Sequence, residues 1–367
     1  LQGSIPSLNV HLQPISDAAS MIRPANLRGL SADSTLITTN GKRRHHASVI
    51  AFQGGGVNDG SQGADISVIP AIALKRVEVL RDGASAQYGS DAIAGVINFV
   101  LDDISEGGSL SYKMGEYTEG DGATSTIAGK IGMPLGQDGF VTTSFQIRQA
   151  DDTSRSLQRP DAAALIAAGN TAVATPAQIW GAPKIDDDVT FFMNAGVTNS
   201  DGSESYMFGN YSERDVDGGF YYRNPDGRDG VFTSGDFRLV GDVDGTCAYS
   251  TAGTVDPTNY TLRDTIMADA SCFVMNQIAP GGYTPRFVGT ITDTSFTTGR
   301  RGDITDGFLS GYSYDLSGSV GRNEADFGLN NTVNPSMGPD TPRNFTTGSY
   351  IELEKTFNFD LQRQYDS

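Results

Sequence analysis

Beyond about residue 102 the chain alternates between apolar and polar positions. Leu110, Tyr112 and Met114 alternate with Ser109, Ser111 and Lys113. In "FVTTSFQIRQ", Val141, Thr143, Phe145 and Ile147 fall on one face, and Thr142, Ser144, Gln146 and Arg148 on the other. Val189, Phe191, Met193, Ala195 and Val197 share a face, and Ile351, Leu353, Phe357, Phe359 and Leu361 oppose Glu352, Glu354, Thr356, Asn358 and Asp360. A period of two over such lengths predicts β-strands with one apolar and one polar face. About eight are expected, near 107–119, 123–134, 139–152, 187–198, 204–222, 286–301, 309–328 and 348–364. Their connections alternate in kind. "PLGQDG", "TNSDGSE" and "GDITDG" are short, whereas the segments near 153–186, 223–285 and 329–347 are long. Short turns at one end and long loops at the other suit an antiparallel transmembrane β-barrel, whose apolar faces meet lipid and whose polar faces line a lumen. A soluble sandwich would rarely hold such long loops without elements of their own. Within the first long loop, "DAAALIAAGN" predicts a short helix with Asp161 as its N-cap.

Residues 1–101 read differently. Short, dense apolar runs are joined by glycine-rich turns, as in a small α+β domain with its own core. "VEVL" predicts a strand, "RDG" a turn, and "ASAQYG" a helical turn closed by Gly89. "AIAGVINFVL" returns as a strand in which Gly95 permits a close backbone approach. The fold class expected is therefore mainly β: a small α+β domain over 1–101, then antiparallel transmembrane barrel strands over 102–367.

Composition narrows the functions. The formal charge of −18 over 367 residues would repel the phosphates of a nucleic acid, so no nucleic-acid partner is expected. No apolar run is long enough for a transmembrane helix, which leaves strands as the only way to span a bilayer. "LQGSIPSLNV" has no basic n-region and no long apolar core. It is expected either to belong to a protein that is not exported or to follow processed residues. Cys247 and Cys272 lie in one polar, turn-rich stretch, which favours a loop-closing disulfide in an oxidising compartment over two free thiols. The three histidines, His11, His45 and His46, supply little material for nucleophilic catalysis, and no catalytic residue, enzyme activity or cofactor is expected. On a strand, the adjacent His45 and His46 would point to opposite faces, which is poor geometry for a metal. "DVDG" (Asp242 to Gly245) lacks the distal Glu of a calcium loop, and "GGGVNDG" lacks the Lys-Ser/Thr ending of a phosphate loop.

"LRGL", "NGK" and "DISVIPAIALKRVEVLRDGASAQYGSDAIAGVINFV", in that order, together resemble the plug domain of TonB-dependent outer-membrane receptors. The resemblance is dense over 1–101 and looser over 102–367. It implies a bacterial outer-membrane location and active uptake of a scarce nutrient. A ferric siderophore leads, with oligosaccharide, haem and corrinoid as other ligand classes. It also implies contact with TonB and its inner-membrane energising complex, and with outer-membrane lipid. A non-transport binding barrel, either a signal transducer or a surface adhesin, is the competing class. Plug loops of the family face outward and touch ligand. That places Arg43, Arg44, His45, His46, Phe52, Gln53 and Asn58 at the apex, where guanidinium and imidazole groups suit an anionic chelate. The alternative is a basic turn buried against wall carboxylates. Arg28, Arg76, Glu78 and Arg81 are expected to form ion pairs between plug and barrel, the alternative being solvent-exposed strand charges. The resemblance implies about twenty-two strands, and a barrel of about eight is too narrow to hold a plug. No TonB box precedes "LQGSIPSLNV". The chain is thus expected to be the N-terminal third to half of a receptor, the rest of the barrel being further sequence or a second chain.

Overall fold

The computed structural model describes residues 5–10, 15, 17–51, 56–81, 83–250 and 253–364. In the first hundred residues, β1 (Leu8–Val10) pairs with β2 (Ala25–Leu27). Strands β3 (Thr35–Thr39), β4 (Lys42–Arg43), β5 (Leu74–Leu80) and β6 (Gly95–Leu101) form a four-stranded sheet in the order β4-β3-β6-β5. Its central pair, β3 and β6, is parallel. Every residue of β3 is buried, which explains why "TLITT" is mostly β-branched and does not alternate. The helical turn α1 (Ser85–Tyr88) stops at Gly89, whose φ is 90°. Gly95 takes φ 144°, and a Cβ there would strike the Leu80 carbonyl and crowd Leu27. Only glycine lets β6 lie so close to β5.

The other eight long strands are β7 (Gly108–Gly115), β8 (Thr124–Pro134), β9 (Gly139–Ala150), β10 (Lys184–Thr198), β11 (Glu204–Gly219), and, after four short strands in the second long loop, three more. The short ones are β12 (Thr233–Ser234), β13 (Phe237–Arg238), β14 (Gly241–Asp242) and β15 (Cys272–Phe273). The last three are β16 (Arg286–Ile304), β17 (Tyr312–Asn330) and β18 (Phe345–Gln362). All eight long strands lie in one antiparallel sheet in the order β18-β17-β16-β11-β10-β9-β8-β7. They fall where the alternation predicts them, with β7 ending sooner, at Gly115, and β17 shifted towards Asn330.

The two faces separate as their patterns require. Leu110, Phe145, Phe191, Tyr211, Phe296, Leu353 and Phe357 are exposed on the outer face. Thr142, Ser144, Asn194, Asn210, Asp293 and Asn323 are buried on the inner face. The small domain packs against that inner face and forms a plug. Some inward positions break the polar rule: Phe192 and Phe208, for example, join the plug core of Leu27, Ile37, Val68, Ile97 and Phe99. Towards the long loops the outer face turns acidic, with Glu213, Asp215, Asp217, Glu324 and Asp326 at outward positions of the register.

The long loops have structure of their own. In the first, α2 (Pro160–Ala167) begins with proline at its first position and Arg159 at the N-cap. Asp161 is therefore not the cap. It lies in the first turn, where its Oδ1 accepts from Arg159 Nε at 3.0 Å. The second loop holds α3 (Tyr260–Ala268), capped by the Asn259 side chain, which accepts from Leu262 N at 3.0 Å. Cys247 and Cys272 are joined in a disulfide beside a small core of Val255, Ile266 and Val274. A second cluster contains Phe232, Phe273, Met275 and Tyr283. Asp242 accepts backbone N–H groups of Gly245 and Cys247 at 2.7 and 3.2 Å, so the calcium-like fragment is a hydrogen-bonded turn.

Candidate functional site at the plug and inner wall

From Lys42 to Ala51 the plug chain runs up the inner wall, from the short-turn end towards the long loops. Lys42 Nζ begins the run, 3.0 Å from Asp315 and 3.3 Å from Asp360. Next, Arg44 donates to Asn210 Oδ1 at 2.8 Å and Ser295 Oγ at 2.9 Å and forms an ion pair with Asp293. The other oxygen of Asp293 lies 2.9 Å from His45 Nε2 and accepts from Asn323 Nδ2 at 3.0 Å. Asn210 Nδ2 donates to Asp293 Oδ1 at 3.0 Å, so both carboxylate oxygens are fully engaged. The His45 imidazole lies against Gly321, where any Cβ would overlap the ring. His46 turns to another strand: its backbone N donates to Glu354 Oε1 at 2.8 Å, and its Nδ1 lies 2.6 Å from the same oxygen. The hydrogen bond to Glu354 raises the His46 pKa, and burial opposes the rise. Ser48 N donates to Asn323 Oδ1 at 2.8 Å. Above it, Ala47, Val49 and Ala51 pack on Val216, Ile291 and Ala325.

A second junction lies beside the first. Arg214 of β11 is paired with Asp65 at 2.8 Å and donates to the Met21 carbonyl at 2.7 Å. Asp65 also accepts from Arg23 N at 3.1 Å and Ser67 N at 2.9 Å. Burial, with the nearby Arg214 charge, lowers Arg23 to about 10. Taking such charges out of water is costly, and close hydrogen-bonded pairing offsets the cost only when every partner is in place. These pairs therefore fix where the plug sits.

The residues expected at the apex separate. The Arg44 and His45 side chains are each 4% exposed, and Asn58 is fully buried, with its Nδ2 donating to Asn26 Oδ1 at 3.0 Å and its Oδ1 accepting from Ala32 N at 3.0 Å. All three side chains are buried and hydrogen-bonded, Arg44 and His45 against wall residues and Asn58 within the plug. Arg43 pairs with Asp91 and donates to the Tyr88 carbonyl at 3.1 Å, within the plug. His46 is partly exposed. Phe52 and Gln53 lie outside the described residues. The expected ionic set also changes. Arg76 Nε lies 2.7 Å from Glu78, and Glu78 accepts from Asn98 at 2.9 Å; this pair is half-exposed and internal to the plug. Arg28 and Arg81 are exposed, Arg28 with φ 58°. Among the described residues, Lys42, Arg44, His45, His46 and Asp65 make charged contacts between plug and wall. The only sequence signal for them was an acidic residue at an inward position of the wall, such as Glu354, or Asp293 in "ITDTSF".

Sequence reading also missed an aromatic row on the inner face. Phe220 and Phe287 have ring centroids 5.4 Å apart, Phe287 and Phe327 6.4 Å, and Phe327 and Tyr350 4.9 Å. Phe327 packs on the Ala47–Val49–Ala51 cluster, so the row stands beside the top of the plug segment. The Arg223 guanidinium lies 5.2 Å from the centroid of Phe220, and Tyr350 is 44% exposed. Aromatic faces with a guanidinium at one end suit stacking on a flat or anionic group. The row was not legible because its members come from three strands and the residue that follows β11, and meet only through register.

Residues 1–96 match the family model of the TonB-dependent Receptor Plug Domain. The probable TonB-dependent siderophore receptor PirA of Acinetobacter baumannii is 26% identical over 137 residues, 36% of this chain and 18% of that protein. The vitamin B12 transporter BtuB of Photobacterium profundum is 30% identical over 152 residues, 38% of this chain and 23% of that protein. A crystal structure of the ferric enterobactin receptor of Pseudomonas aeruginosa superposes on 96% of this chain and 41% of its own, with TM-score 0.55 and 14% identity. The crystal structure of PirA from Acinetobacter baumannii does so on 97% and 41%, with TM-score 0.53 and 16% identity. This chain spans about two-fifths of the length of those solved receptors. Residues 1–96 thus match a TonB-dependent receptor plug domain, and the chain as a whole, plug and sheet together, is similar in fold to the corresponding part of those solved receptors.

Proposed function

We propose that this chain is the plug and adjoining wall of a bacterial outer-membrane receptor that imports a scarce nutrient under the control of TonB, and that the nutrient is a ferric siderophore. The observation behind the reading is a plug held to a polar inner wall by hydrogen-bonded charges, beside an aromatic row ending in Arg223. Such a plug blocks the lumen until its contacts are broken. High affinity followed by release needs two states and an energy input to move between them, with no covalent chemistry. The exposed apolar outer face meets lipid. The wall's aromatic row and the partly exposed His46 are the ligand-facing groups. Siderophore receptors among the relatives favour iron, and the transporter relative for vitamin B12 makes a corrinoid the second candidate.

The test is uptake by the full-length receptor in cells lacking their own siderophore receptors. Radio-iron supplied as a ferric catecholate should enter, and a protonophore should stop it. Import that persists without the proton gradient, or surface binding without import, would overturn the reading.

A further inference from the structure

Three loops meet outside the wall and border a half-open cavity of about 350 Å³ that the uptake reading does not use. Its floor is Gly219 and Arg286, a register pair on the same outward face as the exposed Phe296. It therefore lies on the opposite side of the sheet from the plug. The loops are tied around it. Tyr222 Oη donates to the Gly281 carbonyl at 2.6 Å, Asn170 Nδ2 to the Pro280 carbonyl at 2.9 Å, and Asn331 Nδ2 to the Thr284 carbonyl at 2.9 Å. The walls are apolar, with Pro176, Ile179 and Ile278 among them. A volume near the low end of the range for small-molecule sites, about 300–1,000 Å³, and an apolar lining with few polar groups are what such sites share.

Arg343 is the unusual member of the lining. Its Nε is buried with no hydrogen-bond partner. The same is true of Arg214 and Arg238, but each of those has a carboxylate, Asp65 or Asp226. Among the described residues no carboxylate pairs with Arg343. It donates to Asn331 Oδ1, and its guanidinium carbon lies 5.6 Å from the centroid of Tyr283. The other cation, Arg286, is already matched by Asp217 at 2.6 Å. In a chain of formal charge −18, a half-buried guanidinium without a counter-ion beside an apolar cavity leaves room for one negative charge from outside.

We propose that this cavity is a second binding site, separate from the lumen, for a compact amphiphilic anion: one phosphate or carboxylate on a small apolar body. The anionic group pairs with Arg343, and the apolar body fills the space between Pro176, Ile179 and Ile278. Such a group could be free in solution or borne by a lipid, and the two sources are separable.

The experiment uses the full-length receptor in a non-ionic detergent, with hexyl phosphate as probe and titration calorimetry as readout. Hexyl phosphate should bind with one site per chain, and inorganic phosphate should bind far more weakly because it leaves the apolar walls unfilled. Arg343→Gln should weaken hexyl phosphate about tenfold or more, the loss of one charge-assisted contact. Ala174→Trp, which fills the cavity and leaves Arg343 in place, should abolish binding. Repeating the titration in nanodiscs containing an anionic lipid separates the sources: competition indicates a lipid-borne anion, and unchanged affinity a free one. No binding by the unmodified receptor, or equal binding by it and the Arg343→Gln variant, would overturn the site. Neither result bears on proton-driven uptake through the lumen.

Discussion

At Asp293 one carboxylate meets Arg44, His45, Asn210 and Asn323. Removing it leaves a buried guanidinium without its counter-ion. Asp293→Ala should cost about 3–5 kcal/mol of plug docking, read as a lower unfolding midpoint for the plug. Gly321 belongs to the same contact, because the His45 ring occupies the space of its missing side chain. Gly321→Val should displace Lys42–Ser48 from the wall, and faster amide exchange across that segment would show it. His46 gives the junction a pH dependence of definite sign. Its pKa is raised in the folded protein by Glu354, so the contact is fully present below the free histidine value of about 6.5 and is lost as pH rises through the raised value. Exchange protection of Lys42–Ser48 should therefore hold below about pH 6.5 and fall as pH rises above it, and fall less in His46→Gln. Equal pH profiles for the two proteins would rule out His46 as the titrating group.

Among the elements, the long strands were the most legible, because each repeats one binary rule over ten or more residues. Phe192 and Phe208 were not, since an aromatic at a polar-face position looks like noise until the plug core is seen beneath it. The second long loop was the largest omission. Its helix has a cap in Asn259 and an inward Ile266, but nine residues give too little periodicity to stand out in polar sequence. The disulfide spans 25 residues of that loop, and closing a loop of that length contributes about 3 kcal/mol. Cys272→Ser should loosen 241–275 while the sheet keeps its stability. Protease cleavage confined to the loop, with an unchanged unfolding midpoint for the wall, is the expected pattern.

For the whole molecule, plug and wall are parts of one core. Lys42, Arg44 and His45 are buried only because the wall covers them, and the plug's main cluster includes Phe192 and Phe208 from that wall. The segment 1–101 expressed alone should consequently leave 42–51 unfolded while β3, β5 and β6 remain paired. Backbone amide shifts near random-coil values for 42–51, with dispersed shifts for those strands, would bear this out. Sharp, dispersed shifts throughout would mean that the plug needs no wall.

The alternation of side chains by itself determined eight strands, their two faces and the order of short and long connections, because a strand's period is set by its own backbone. The glycines at 89 and 95 determined the turn and the close crossing of the plug, because only they tolerate those backbone angles. The two cysteines, near one another in a polar loop, also pointed to their own bond. Tertiary structure alone decided which charges pair. Arg44 and Asp293 are 249 residues apart, and nothing local distinguishes a guanidinium that will face a ligand from one that will be buried against a wall. It also decided the aromatic row and the outer cavity, whose residues lie on separate strands and loops and meet only when register and loop packing are fixed.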